Sequence, residues 1–187
     1  MLHDTLGKGR RRHSLCVAEQ AVRLARRYGA DPEQAEIAGL LHDVAKEFSI
    51  EQKQRLLREF GVYLDDVTRR LPTLWHAVLG AAYAKQRLGV REPEVLSAIR
   101  YHTTGRAGMT LLEKVIYIAD YTSADRTYPD ADNMRRIVEE DLDAALREAL
   151  RYTLLKQVES RQPVHPDSLA AYNELIIPDP PPSLRLD

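Results

Sequence analysis

Cysteine is almost absent from this chain: Cys16 is the only one in 187 residues. One thiol closes no internal disulfide and builds no zinc-binding cysteine cluster, so a reducing, cytoplasmic setting is expected. Neither sign of charge is in excess, with 27 Lys and Arg against 28 Asp and Glu. That removes any global pull toward nucleic acid or an anionic membrane, while a few local arginines can still hold a nucleotide. No run approaches the roughly 20 apolar residues of a membrane helix. The basic stretch MLHDTLGKGRRRH lacks the apolar segment and small-residue cleavage site of a signal peptide. Internal repeats and a glycine-rich phosphate loop are missing as well.

What is present favours helix. Ala, Leu, Glu, Arg and Gln dominate and β-branched runs are short, which predicts an all-α, multi-helix bundle. The length suits one domain over residues 1–187, with a core from about 10 to 175. Val17, Ala21, Leu24 and Ala25 share one face of a helix predicted from His13 to Tyr28, ended by Gly29. Asp31-Pro32-Glu33-Gln34 reads as a cap, a first-turn proline and a capping-box partner. Ile37, Leu40, Leu41, Val44 and Phe48 carry that helix onward at spacings of three and four. Ser49 to Gln52 caps a polar helix stopping near Gly61. Further helices are predicted from Leu74 to about Leu88, from Glu94 to Tyr101, and after the Thr110–Glu113 capping box through LLEKVIYIADY. The stretch Thr122–Pro129 reads as loop. One long amphipathic helix is expected from Asp132 to Glu159, with Ile137, Leu142, Leu146, Leu150 and Leu154 inward. The proline-bearing tail, about 176–187, is expected to be mobile.

Four histidines and two aspartates lie in helix-forming stretches: His13, the pair His42-Asp43, His76, His102 and Asp120. Imidazole nitrogen and carboxylate oxygen are the ligand types of zinc, iron and manganese. An isolated His-Asp pair reads equally as a polar pair on a solvated face. Asp120 is more telling, because it closes the apolar run KVIYIAD. An ionised carboxylate there needs a partner, whether a metal or an arginine.

The order of these residues resembles the HD-domain metal phosphohydrolase superfamily, and within it the YqeK family of symmetrical diadenosine tetraphosphate hydrolases. The likeness runs from Arg10 to about Asn173. It rests on R-R-R-H-S-L-C-V-A, A-G-L-L-H-D-V-A-K, W-H-A-V-L-G-A, A-I-R-Y-H-T-T-G-R-A-G-M, L-L-E-K-V-I-Y-I-A-D-Y and H-P-D-S-L-A-A-Y-N. It implies metal ligation by His13, His42, Asp43 and Asp120. The metal implied is divalent, iron first, with manganese or another transition metal compatible, and the resemblance allows a second ion near His76 and His102. It implies nucleotide contacts from Arg10, His13, Lys46, His76, His102, Thr103, Asp120 and Arg126, and from His165, Pro166, Asp167, Ser168, Leu169 and Ala170. Catalysis would rest on Asp43, Lys46, His76 and His102. One departure stands out: the family's Glu-Pro-Gly-Arg turn is replaced by Ser123-Ala124-Asp125-Arg126.

The chemistry is coherent. A polyphosphate needs its charge neutralised and a water activated, and a divalent cation supplies both. Lys46, Arg10 and Arg126 offer cations to phosphate oxygens; a solvated lysine and a loop salt bridge are the plainer readings of Lys46 and Arg126. His76 and His102 can donate to the leaving group. Other HD substrates (deoxynucleoside triphosphates, nucleoside monophosphates, cyclic dinucleotides, guanosine alarmones) and a non-catalytic nucleotide sensor are the alternatives. A nucleotide is the expected partner, with neither nucleic acid nor membrane. The resemblance also suggests a homodimer, for which Trp75, Tyr83 and several leucines offer a face.

Overall fold

Asp31, Ser49, Asp65, Thr110, Asp141 and His165 each cap the helix that follows with a side-chain acceptor. In the computed structural model, which describes residues 6–177, ten α-helices follow one another: α1 (Lys8–Tyr28), α2 (Pro32–Leu41), α3 (Ile50–Glu59), α4 (Asp66–Arg70), α5 (Trp75–Arg87), α6 (Pro93–Tyr101), α7 (Leu111–Thr122), α8 (Ala131–Glu140), α9 (Leu142–Glu159) and α10 (Pro166–Ile176). A 3-10 turn, Pro72–Leu74, leads into α5. The described residues form no strand, as an all-α sequence requires. None of these helices is long and apolar enough to cross a membrane. The proline tail from 178 onward, and the mobility expected of it, lie outside the described residues.

α7 is the hub. It packs against α1, α2, α6, α8 and α9, so almost its whole circumference is buried. That explains a helix apolar on every side. Ile116 and Ile118 on α7, and Leu146 and Leu150 on α9, are at most 1% exposed; each contributes about 1.5–3 kcal/mol by leaving water. Glu113 is buried with them, but its carboxylate accepts hydrogen bonds from Arg106, Ser97 and the Thr110 amide. The Thr110 hydroxyl accepts from the Glu113 amide in return, completing the capping box. α1 and α2 approach very closely at Gly39, where a Cβ would stand 2.7 Å from the Ala18 Cα.

Several expectations need correction. The second helix stops at Leu41 instead of running to Phe48, and His42 to Glu47 form turns. Bonds from Val44 N to Leu41 O and from Lys46 N to Asp43 O span three residues, not four. Leu41 and Val44 keep a spacing of three that a tight turn satisfies as well as a helix does. Gln34 bonds the Asp31 side chain, not the Asp31 backbone amide, so the cap forms without the full box. The long helix is broken at Asp141, whose extended backbone (φ −152°, ψ 117°) lets its carboxylate cap α9. Ile137 and Leu154 are only half buried. α4 and α10 were not anticipated; α10 opens with Pro166 at its first turn. Trp75 is internal, in a second apolar cluster with Leu57 and Leu79, and the half-buried Tyr83 packs onto it. The Trp75 indole donates to Thr68 O at 2.8 Å, so Trp75 is a core ring.

Candidate metal centre and nucleotide cleft

Three of the four histidines are held by one local device. His42 Nδ1 lies 2.7 Å from Gly39 O, His76 Nδ1 2.7 Å from Thr73 O, and His102 Nδ1 2.8 Å from Ile99 O. In each case the carbonyl belongs to the residue three positions earlier. A carbonyl only accepts, so Nδ1 carries the proton and the Nε2 of a neutral ring keeps its lone pair. Burial holds His42 and His76 down to about 4, leaving both neutral near pH 7.

These rings converge. The His42 ring centroid lies 5.3 Å from that of His13 and 5.0 Å from that of His102; His76 and His102 are 5.1 Å apart. His13, on the second turn of α1, is gripped from both sides. Its Nδ1 meets Asp125 Oδ2 at 2.8 Å and its Nε2 faces Asp120 Oδ1 at 3.0 Å. Burial alone would lower the His13 pKa, but the two carboxylates outweigh it and raise it. Asp43 is 3.2 Å from His76 Nε2 and 3.5 Å from His102 Nε2 through Oδ1, while Arg10 Nη1 donates to Oδ2 at 2.8 Å. Burial opposes its charge, yet His102, His76 and His42 hold the Asp43 carboxyl far below the ordinary range. Asp120 is likewise strongly depressed against burial, by His13, His42 and Arg126. Arg126 pairs with that carboxylate.

The donor set fits a divalent cation. His42 Nε2 is buried without a hydrogen-bond partner, and His13 Nε2 and Asp43 Oδ1 are buried with only other groups of the cluster beside them. Ligand atoms of His13, His42 and Asp120 lie within 4.8 Å of one another, and so do those of His42, Asp43 and His102. Converging lone pairs and carboxylates, each oriented from behind by a second partner, are the arrangement that a metal satisfies. Lys46 Nζ, lowered by burial, sits 3.0 Å from His76 Nε2 and 3.7 Å from Asp43 Oδ1.

A cleft of about 260 Å³ opens beside this cluster, lined by His102, Thr103, Asp120 and Arg126 together with Tyr117, Tyr121, Tyr128 and Thr153. The sequence reading thus gathers Arg10, His13, His42, Asp43, Lys46, His76, His102, Thr103, Asp120 and Arg126 around one place. The C-terminal segment stands apart. His165 caps α10, and its Nε2 lies 3.0 Å from the Thr68 hydroxyl. With Asp167 it borders a narrow cleft of about 20 Å³ that shares only Thr103 with the larger one. Ser168 is buried, whereas Pro166, Leu169 and Ala170 are exposed. Sequence reasoning missed Asp125 as the partner of His13, and missed the tyrosines. Tyr117 and Tyr121, one turn apart on α7 and flanking Asp120, were the available signal.

Comparison with known proteins agrees with this geometry. The sequence profile described as HD domain matches residues 10–125. The chain is 44% identical to a symmetrical bis(5′-nucleosyl)-tetraphosphatase of Bacillus subtilis, over 88% of each chain. It is 38% identical to the protein of that name from Halalkalibacterium halodurans, over 92% of this chain and 91% of the other. A crystal structure from Clostridium acetobutylicum, described as a "predicted HD superfamily hydrolase involved in NAD metabolism", superimposes with a TM-score of 0.90 at 40% identity. It covers 94% of this chain and 93% of that one.

Proposed function

This chain belongs to the HD-domain family, alongside symmetrical bis(5′-nucleosyl)-tetraphosphatases, and from that premise we propose that it hydrolyses diadenosine tetraphosphate to two molecules of ADP. The observation that carries the reading is the pair of buried ligand groups, His13/His42/Asp120 and His42/Asp43/His102, joined at His42, whose Nε2 has no hydrogen-bond partner.

His13, His42, Asp43 and Asp120 are the residues that would hold the cation, with His76 and His102 beside them. When bound, that cation neutralises phosphoryl oxygens and makes water a nucleophile near pH 7. Iron is favoured by the family resemblance, and nitrogen-and-oxygen ligation equally suits manganese. The protein's own residues do the rest. Asp43, with its carboxyl so strongly acidic, holds charge and not a proton. Arg10 and Arg126, already paired with Asp43 and Asp120, turn forked donors toward phosphate oxygens. Lys46, whose ammonium donates to His76 Nε2 at 3.0 Å, is held by that ring to donate to the oxygen of the departing ADP. Asp125 fixes His13 from behind. Thr103, which lines both clefts, and the neighbouring segment His165–Ala170 are proposed to add nucleotide contacts by way of the narrower one. The chain is further proposed to act as one HD domain in the cytoplasm and as a homodimer, readings supported by the family resemblance.

The test is direct. Purified protein, supplied in turn with ferrous iron, manganese and zinc, is incubated with diadenosine tetraphosphate, and products are resolved by anion-exchange chromatography. ADP as sole product, abolished by Asp43→Ala, is expected. AMP with ATP would refute symmetrical cleavage, and inertness with every metal would refute the substrate.

A further inference from the structure

The tyrosine-lined cleft does not end at the metal centre. A second hollow of about 300 Å³ continues from it, and the two share Tyr121 and Thr153. Together they reach the size of pockets that hold a small organic ligand. The wall is a line of rings. Tyr117 stacks on Tyr121 with centroids 5.7 Å apart, Tyr128 meets Tyr121 edge-on at 6.2 Å, and Tyr152 lies nearly parallel to Tyr128 at 6.1 Å. The line starts beside Asp120 and runs outward to Tyr152, which is 42% exposed. At its far end Gln157 lines the hollow, and its Oε1 is enclosed without any hydrogen-bond partner. An unsatisfied amide acceptor turns toward a ligand without breaking a hydrogen bond.

We propose that this groove seats one adenosine half of the dinucleotide, with the purine stacked against Tyr152 and Tyr128 and its 6-amino group donating to Gln157. The inference rests on the hydrolysis proposed above. Cleavage of a symmetrical substrate at its centre puts the middle phosphates at the His/Asp cluster, so the two nucleosides diverge from it. One must then follow a groove that begins at Asp120, and this groove offers aromatic faces that every base can stack on. The unpaired acceptor distinguishes adenine, which presents an amino donor at position 6, from guanine, which presents a carbonyl oxygen there.

Steady-state kinetics on the metal-supplemented full chain test this with Tyr152→Ala, Tyr152→Phe and Gln157→Ala, using diadenosine and diguanosine tetraphosphates. Tyr152→Ala is expected to raise KM for the adenine substrate about 10-fold with little change in kcat, and Tyr152→Phe to restore it. Gln157→Ala should reduce the preference for adenine over guanine by about 10-fold. Calorimetric titration with ADP reads the groove without turnover: two sites per chain are expected, falling to one when Tyr152 and Gln157 are both replaced by Ala. Wild-type KM, preference and site number in these variants overturn the groove while hydrolysis stands. If the wild type releases no ADP, hydrolysis falls, and the ADP site count alone decides the groove.

Discussion

Asp125→Ala isolates the support behind a single ligand. The substitution removes the carboxylate that accepts from His13 Nδ1 at 2.8 Å and leaves His13 Nε2 with Asp120 as its remaining anchor. It also strips Ser123 Oγ of its acceptor, 2.8 Å away. Loss of such an outer partner lowers metal affinity about 10- to 100-fold, or about 1.4–2.8 kcal/mol. The Asp125 side chain is 24% exposed, so water replaces part of the lost bond. The expected drop therefore lies toward the lower end, about 10- to 30-fold. Asp125→Asn keeps an acceptor but not the charge, and should fall between wild type and Ala. Calorimetric titration of the apo protein with manganese measures the change, alongside a thermal melt to show that the fold survives. Wild-type affinity in Asp125→Ala would show that His13 is either not a ligand or is held in place by Asp120 alone.

Other outcomes follow from packing and protonation. Gly39→Ala forces α1 and α2 apart at Ala18 and should cost about 1–3 kcal/mol in urea unfolding, weakening metal binding in parallel because α1 carries His13 and α2 delivers His42. Thr110→Ala breaks the capping box of α7; a loss of about 1 kcal/mol is expected from the same unfolding experiment. His42 and His76 sit at about 4 in the folded chain against 6.5 when unexposed to the fold's burial. The unfolded chain therefore takes up protons first, so the contribution of these two rings to the stability of the apo protein is full above about 6.5 and is lost as pH falls toward about 4, while the raised His13 acts in the opposite sense. Urea midpoints across that window should decline more steeply in wild type than in a His42→Gln, His76→Gln variant; equal slopes contradict neutral, buried rings.

The ligand types were legible because histidine and aspartate are scarce on apolar helical faces, and because Asp120 ends a run that otherwise belongs in a core. Their convergence was not, since it depends on α1, α2, α5, α6 and α7 meeting at one point. Periodicity failed where a spacing of three serves two geometries, at Leu41 and Val44. It failed again at Asp141, where the apolar stripe passes straight through a break that only the cap reveals. Asp125 could be seen as an altered turn but not as a partner of His13, because 112 residues separate them. Trp75 was misjudged for the opposite reason: a large ring with a polar edge reads as interface until its indole finds an internal carbonyl.

His42 and His102 are also the C-caps of α2 and α6. Each helix therefore brings the negative end of its macrodipole, roughly half an elementary charge, to the same buried spot. That field comes from backbone alone, so it persists when any one carboxylate is replaced. It favours a positive charge at that spot whichever side chain is changed, so single carboxylate variants should weaken cation binding without abolishing it.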